Sequence, residues 1–314
     1  VVQLTVRHGM PAFISSIASG AYILMGCFAI TICVFILNDV LNLLNLLVRI
    51  KSFGFYSTIV AIALSLILSM AAFINFATFL NIKEVNIKVP NLPVPSLRVI
   101  ELADLHINAI TKPADINAIF DKVDGLKPDM IVFVGDIIDI DINKNDEFLN
   151  YGFAKLHAPY GIFAVTGNHE YFLGAEPFYE MFGKLGVKVL DDENVLVKNT
   201  INVAGINDKS WRNDKKIEQA LAVDKRYPTL FLSHRPETFN FAGKYADIIQ
   251  LSGHTHAGQI PPVWIVRKFF MQYNYGIYKI GKSILYITSG TRLWGPPMRL
   301  FSTSEIAVIT LERE

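Results

Sequence analysis

Cysteine is scarce in this chain. Only Cys27 and Cys33 occur in 314 residues, both inside one apolar run. Six residues apart on one helix they do not easily bridge each other, so no disulfide framework is expected, and they read as small packing residues. A GxxxxGK[ST] loop is absent, which removes the simplest nucleotide-binding reading. Charge of either sign has no excess: the net charge is +1, and residues 82–314 carry 26 basic against 27 acidic side chains. Without a polycationic stripe or an arginine–aromatic ladder, nucleic acid is excluded as a partner class. No internal repeat or low-complexity tract is visible.

Charge is missing altogether from Pro11–Asn38 and from Ser52–Asn81. About 20 apolar residues cross a bilayer as helix, so both stretches are long enough, with slack for tilt. Two transmembrane helices are predicted, over about 11–37 and 52–80. Globular core helices rarely run this long without a charge. A cleaved signal peptide does not fit a first stretch of this length with a second behind it. Asp39–Lys51 reads either as a short interfacial helix or as a continuation of the first span. Arg7 precedes the first span, Arg49 and Lys51 lie between the spans, and Lys83 and Lys88 follow, so positive charge does not fix the orientation. The chain begins with valine, which leaves room for upstream residues and further spans.

The predicted organisation is a membrane anchor over 1–81, a linker or edge strand over 82–96, and a catalytic domain over 97–314. The connector holds Pro90, Pro93 and Pro95, and its Val85, Ile87 and Val89 alternate with polar neighbours. Buried strands are predicted at 97–103, 130–134, 161–166, 187–190, 195–197, 201–204, 229–232, 248–251, 283–288 and 305–311. Helical patterns fall at 113–123, 146–156, 176–185, 215–223 and 236–242. Strands that alternate with helices early and dominate late predict a layered α/β sandwich rather than a barrel.

Five of the seven histidines sit in short polar clusters that close apolar runs: Asp104-Leu105-His106, Gly135-Asp136-Ile137-Ile138-Asp139, Gly167-Asn168-His169-Glu170, Ser233-His234 and Gly253-His254-Thr255-His256. Side chains placed just past several strand ends converge on one point. Aspartate and asparagine oxygens with imidazole nitrogens, and no thiolate, suit Mn²⁺ first, with Fe²⁺, Zn²⁺ or Mg²⁺ as alternatives. An aspartate can bridge two ions about 3.5–4 Å apart, which clamp a phosphoryl group. Gly135, Gly167 and Gly253 read as backbone devices that let strands end in tight turns. His8 and His157 belong to no cluster.

The set D-x-H, G-D-x-x-D, G-N-H-[DE], a later H and G-H-x-H, present here in order, resembles the calcineurin-like binuclear metallophosphoesterases. Ser252–Ile260, Tyr286–Thr291 and Trp294–Arg299 resemble the membrane-attached branch of that family in more detail. The resemblance covers about residues 97–314. It implies a metallophosphoesterase β-sandwich flanked by helices, here preceded by two transmembrane helices. It also implies two divalent metal ions. Asp104, His106 and His256 would be terminal ligands of one; Asn168, His234 and His254 would be terminal ligands of the other; Asp136 would bridge both. His169 would stand free of metal as the proton donor, oriented by Asp139, unless Asp139 caps the next segment. Glu170 would support the site rather than ligate.

Arg235, Arg292 and Arg299 are candidates for a second phosphate or a carboxylate, weighed against a structural role for each. Pro261–Tyr278 is rich in aromatics around Arg267 and Lys268. It reads either as a long hairpin packed on the sandwich or as a segment dipping into the bilayer interface, with Phe269 and Phe270 against a lipid substrate. An activity of the resembling branch is UDP-2,3-diacylglucosamine pyrophosphatase, in lipid A biosynthesis. The expectation is therefore an integral protein of the bacterial inner membrane with a cytoplasmic catalytic domain. It would cleave a lipid-linked nucleotide by hydroxide attack on phosphorus. The alternatives are a general membrane-anchored phosphatase or phosphodiesterase and, less favoured, a non-catalytic scaffold.

Overall fold

The computed structural model describes residues 12–314 except 109–110, 141, 143–151 and 173, with side chains from residue 16. The helix expected over 146–156 lies mostly outside the described residues. Two helices come first, α1 (Ala12–Val48) and α2 (Phe53–Thr78). Nothing in Asp39–Val48 breaks a helix, and α1 runs through it, so this stretch continues the first span. The turn between the helices uses Arg49 and Ser52 in left-handed conformations. Asn45 closes the end of α1, its Oδ1 accepting from Ile50 N at 2.9 Å. Large apolar side chains such as Leu24, Phe28, Leu47, Leu66 and Ile67 point outward. Both helices are long and apolar enough to cross a membrane.

Two six-stranded sheets follow. In chain order the strands are β1 (Leu80–Val89), β2 (Ser96–Leu102), β3 (Met130–Val134), β4 (Ile162–Val165), β5 (Lys188–Val189), β6 (Glu193–Val197), β7 (Ile201–Gly205), β8 (Thr229–Leu232), β9 (Ile249–Ser252), β10 (Gly276–Ile280), β11 (Ser283–Ile287) and β12 (Ser304–Arg313). The first sheet has the order β1-β12-β2-β3-β4-β5, the second β10-β11-β9-β8-β7-β6. β2, β3, β4 and β5 are parallel neighbours in one sheet, and β7, β8 and β9 in the other. The proline-bearing connector supplies a full edge strand: β1 pairs in parallel with β12 from Leu80↔Ser304 to Val89↔Arg313.

Side-chain alternation sorts the core into layers. Met130, Val132 and Val134 of β3 face the second sheet and meet Leu230, Leu232 and Leu251. Ile131 and Phe133 point the other way, into a cluster with Phe120 of helix α3 (Pro113–Gly125) and Phe178 and Phe182 of α4 (Glu176–Lys184). Beyond the second sheet, Phe231 and Leu285 pack on Ile217 of α5 (Asp214–Ala220) and Phe239 of α6 (Phe239–Tyr245). A strand buried on both faces reads as an unbroken apolar run, as β3 does. The layered α/β sandwich is as expected.

The aromatic segment is not a hairpin. Pro261 and Pro262 lead into a helix, α7 (Val263–Phe270), with no fully buried residue, and β10 then pairs antiparallel with β11. The apolar residues of α7 follow helical rather than alternating spacing, and its first turn packs on the preceding loop. Gly258 (φ +79°) has Trp264 Cα 2.4 Å from where a Cβ would stand, so this contact requires glycine.

Candidate metal centre

The C-terminal ends of β2, β3, β4, β8 and β9 open onto one point, and each histidine cluster begins there. The first two loops are zipped by main-chain bonds: Asp104 N donates to Gly135 O (3.1 Å), His106 N to Asp136 O (3.0 Å) and Asp139 N to Ile107 O (2.8 Å). Asp104, His106, Asp136, His254 and His256 all have positive φ, between 42° and 70°. Such conformations in non-glycine residues cost about 1–3 kcal/mol each and concentrate at functional sites. Gly167 lets two loops touch, since a Cβ there would stand 2.2 Å from Asp136 Oδ1. Glu170, read as a supporting residue, is buried. It accepts backbone N–H bonds from Asp136 (3.0 Å), Ile137 (2.7 Å), Ile138 (3.2 Å) and Gly167 (2.6 Å), pinning the two loops together.

Besides the hydrogen-bonded triad His106, Asp139 and His169, two groups of donor atoms result. Asp104, His106 and His256 form one, and Asp136, His234 and His254 the other, the atoms within each of the three sets lying within 4.8 Å of one another. His106 Nε2 faces His256 Nε2 at 3.2 Å, and His254 Nδ1 faces His234 Nε2 at 3.2 Å. Asp136 Oδ2 lies between the groups, 3.7 Å from His106 Nε2 and 3.2 Å from His234 Nε2. Asn168 Oδ1 is buried without a hydrogen-bond partner, on the same cavity wall as Asp136 and His254. Facing imidazole nitrogens and an orphaned amide oxygen are what a cation site leaves when only protein atoms are considered. The residues therefore fit divalent metal binding.

Electrostatics agree with that reading. Burial opposes charge on His106, but Asp139, Asp136 and Asp104 outweigh it and carry its pKa to about 9. Burial opposes charge on His234 too, and Asp136 and Asp104 carry it to about 10. Burial, with the charges of His234 and Arg235, holds His254 down at about 2. His256 is likewise kept neutral by burial and by His106. Burial would raise Asp136, yet His234, His106 and His169 hold it well below the usual carboxylate range.

His169 stands beside the two groups. Its Nδ1 lies 2.8 Å from Asp139 Oδ1, while the other oxygen of Asp139 lies 3.1 Å from His106 Nδ1. One carboxylate thus orients two rings, a link the sequence reading did not include. Burial pushes Asp139 up, but His106 and His169 prevail and hold it at about 2. The His169 ring is edged by Phe172 (centroids 4.8 Å apart) and Trp294 (6.3 Å).

Residues 97–258 match the family described as calcineurin-like phosphoesterase. The chain belongs to this family. Among relatives, an uncharacterized metallophosphoesterase of Helicobacter pylori strain J99 is 35% identical over 68% of this chain and 59% of its own length. A transmembrane protein with metallophosphoesterase domain of Danio rerio is 27% identical over 84% of this chain and 64% of its own. The UDP-2,3-diacylglucosamine pyrophosphatase LpxG of Chlamydia muridarum is 24% identical over 68% of this chain and 82% of its own. The matched region thus spans about 59% of the Helicobacter relative.

A cavity of about 380 Å³ opens at the phosphoesterase centre, touching Asp136, Asn168, His169, His254 and His256. Its far wall includes Met25 and Ala29 of α1, so the first apolar helix reaches the centre. α2 is tied to the neighbouring loop: Asn75 Nδ2 donates to Arg299 O (3.0 Å) and Ser302 O (2.9 Å), and Arg299 N donates to Ala72 O (2.9 Å).

The substrate candidates from the sequence fare differently. Arg299 is fully buried, its guanidinium given to the carbonyls of His256 (3.2 Å), Ser289 (2.7 Å) and Arg292. It is a structural tie with nothing left for substrate. Arg292 Nη1 donates to Thr111 Oγ1 (2.8 Å) and Leu105 O (3.3 Å) behind the Asp104 loop and does not line the cavity. Arg235 is paired with Asp208 (Nε–Oδ1 2.7 Å), leaving Nη1 3.2 Å from His254 Nε2. Phe269 and Phe270 point outward, 65% and 78% exposed, and are not on the cavity wall. What α7 does present to the cavity is Val263 and Arg267. The sequence reading left Arg267 among the basic residues of the aromatic segment. Its signal was helical spacing, with Val263, Trp264 and Arg267 sharing one face.

Proposed function

We propose that this chain is a membrane-anchored dinuclear phosphohydrolase that cleaves the pyrophosphate of a lipid-linked nucleotide, of which UDP-2,3-diacylglucosamine is the leading example. The observation that carries the reading is the cavity, whose wall includes Asp136 and His254, then Ile260, Pro261 and Trp294, and also Met25 and Ala29 of the apolar helix. A phosphoester with an acyl tail would lie with its phosphorus at the centre and its tail toward the bilayer. Similarity to transmembrane relatives and to LpxG adds support.

In this reading Asp104, His106 and His256 hold one ion, Asn168, His234 and His254 the other, and Asp136 both, with Mn²⁺ the first choice. Ions bound there would supply Lewis-acid stabilisation of the phosphoryl oxygens and acidify a water. His169 has Nδ1 committed to Asp139, so its Nε2 is the nitrogen free to act. In the imidazolium form it gives the Nε2 proton to the leaving oxygen as the P–O bond breaks. The aromatic edges of Phe172 and Trp294 limit water around that ring. The protein would sit in the bacterial inner membrane with this domain in the cytoplasm, where UDP-sugars are found.

A substrate panel tests the reading. The full chain in detergent with Mn²⁺ is given UDP-2,3-diacylglucosamine, a bis(p-nitrophenyl) phosphate reporter and a p-nitrophenyl phosphate reporter, with products weighed by mass spectrometry. Release of UMP and acyl-glucosamine phosphate is expected. Cleavage of the reporters alone would replace the lipid substrate with a general phosphodiesterase or phosphatase activity, and no turnover would leave only a scaffold.

A further inference from the structure

One guanidinium on the cavity wall has an Nη1 without an acceptor among the described residues. Arg267 lies one helical turn beyond Val263, and both line the cavity at the metal centre. Its Nη1 is enclosed and has no hydrogen-bond partner among the described residues. The arginines nearby are satisfied: Arg235 by Asp208, Arg292 by Thr111 and Leu105, and Arg299 by carbonyls. The charges that act on Arg267 are Glu237, Asp104 and, with opposite sign, Arg235. Among the described residues Glu237 forms no ion pair with it, and Glu237 Oε2 is itself buried without a partner. An enclosed N–H without an acceptor is costly, and a ligand that brings one removes the cost. The guanidinium fork matches the spacing of phosphate oxygens.

We propose that Arg267 is a substrate-binding residue whose guanidinium takes the non-bridging oxygens of a substrate phosphate held at the metal centre. This rests on the hydrolase reading above but not on the lipid part of it. The neighbouring Lys268 is a built-in control. It sits on the same helix with the same charge, but its Nζ lies over the Trp264 and Phe269 rings, away from the cavity.

The test uses inorganic phosphate as the probe on the full chain in detergent, loaded with Mn²⁺. Phosphate competes with bis(p-nitrophenyl) phosphate, giving a Ki, and its stabilisation of the fold is read separately as a shift in Tm. Arg267→Ala is expected to raise the Ki about ten-fold or more and to abolish the Tm gain, with metal content unchanged. Arg267→Lys should recover part of both, and Lys268→Ala should match the wild type. A wild-type Ki and Tm gain in Arg267→Ala, or equal losses in Arg267→Ala and Lys268→Ala, would overturn the proposal. If Arg267→Ala does not fold, Arg267→Lys is read instead against Lys268→Ala, and indistinguishable Ki values overturn it. A wild type that cleaves the reporter but not UDP-2,3-diacylglucosamine removes the lipid substrate and leaves the phosphate comparison intact.

Discussion

Asp139 holds two imidazoles with one carboxylate, and that sharing separates the two duties of the site. His106 belongs to a metal-competent group through Nε2, while His169, held through the same aspartate, has no place in the two groups read as metal ligands. Replacing His169 with alanine is expected to leave metal content unchanged and lower kcat by roughly 10²–10⁴. Full activity in the variant would end its role as proton donor. The protonation of the ligand set makes a second prediction. In the metal-free protein His106 and His234 have pKa values raised to about 9 and about 10. The stability they contribute is fully present below the unfolded value of about 6.5 and is lost as pH rises through the folded values. Metal binding carries the opposite sign, because these rings must shed protons to ligate. Mn²⁺ titrated calorimetrically into the metal-free protein should bind more tightly near pH 8.5 than near pH 6.5, releasing protons at both, since rings with pKa values of about 9 and about 10 are still largely protonated at the higher pH. Affinity that is flat across that range would contradict this account.

At the level of elements, central strands were the most legible parts. Met130–Val134 and Leu230–Leu232 are unbroken apolar runs, and strands occupy those residues. Edges were less so: β5 shortens to Lys188–Val189, and β10 was hidden inside the aromatic segment. An edge strand is paired on one side only, so its extent depends on its neighbour more than on its own residues. α7 is hard to read because Val263, Trp264, Ile265, Val266, Phe269 and Phe270 are β-branched or aromatic, types enriched in strands, and the tertiary setting overrides that preference. Its outer face exposes Val266, Phe269 and Phe270, as the two long helices expose large apolar side chains. Replacing Phe269 and Phe270 together with serine is expected to spare turnover of a soluble diester and to slow turnover of a lipid-linked substrate in vesicles by roughly ten-fold, from the loss of two buried rings at the interface. Parallel losses on both substrates would count against an interfacial role for the helix.

Across the whole molecule, the candidate metal centre is a joint between the two sheets and α1, so occupancy by ions should govern the stability of the fold. At ion concentrations about 100-fold above Kd, binding adds about 2.7 kcal/mol, which corresponds to roughly 5–10 °C in Tm. Removing metal with a chelator should lower Tm by that amount, and returning Mn²⁺ should restore it; an unchanged Tm would mean the loops are held without ions. By itself the sequence determined the two long apolar helices, the layered α/β class and the order of the polar clusters. Those are written in local patterns: uncharged runs of bilayer length, apolar runs of strand length, and polar residues placed where each strand must end. Only the tertiary structure decided which arginine does what. Arg299 is drawn inward by carbonyls and tied to α2 across more than two hundred residues of chain, while Arg267 is turned into the cavity with its Nη1 unpaired. A long flexible side chain takes its role from whatever lies at its far end, and that neighbour is set by folding rather than by sequence distance.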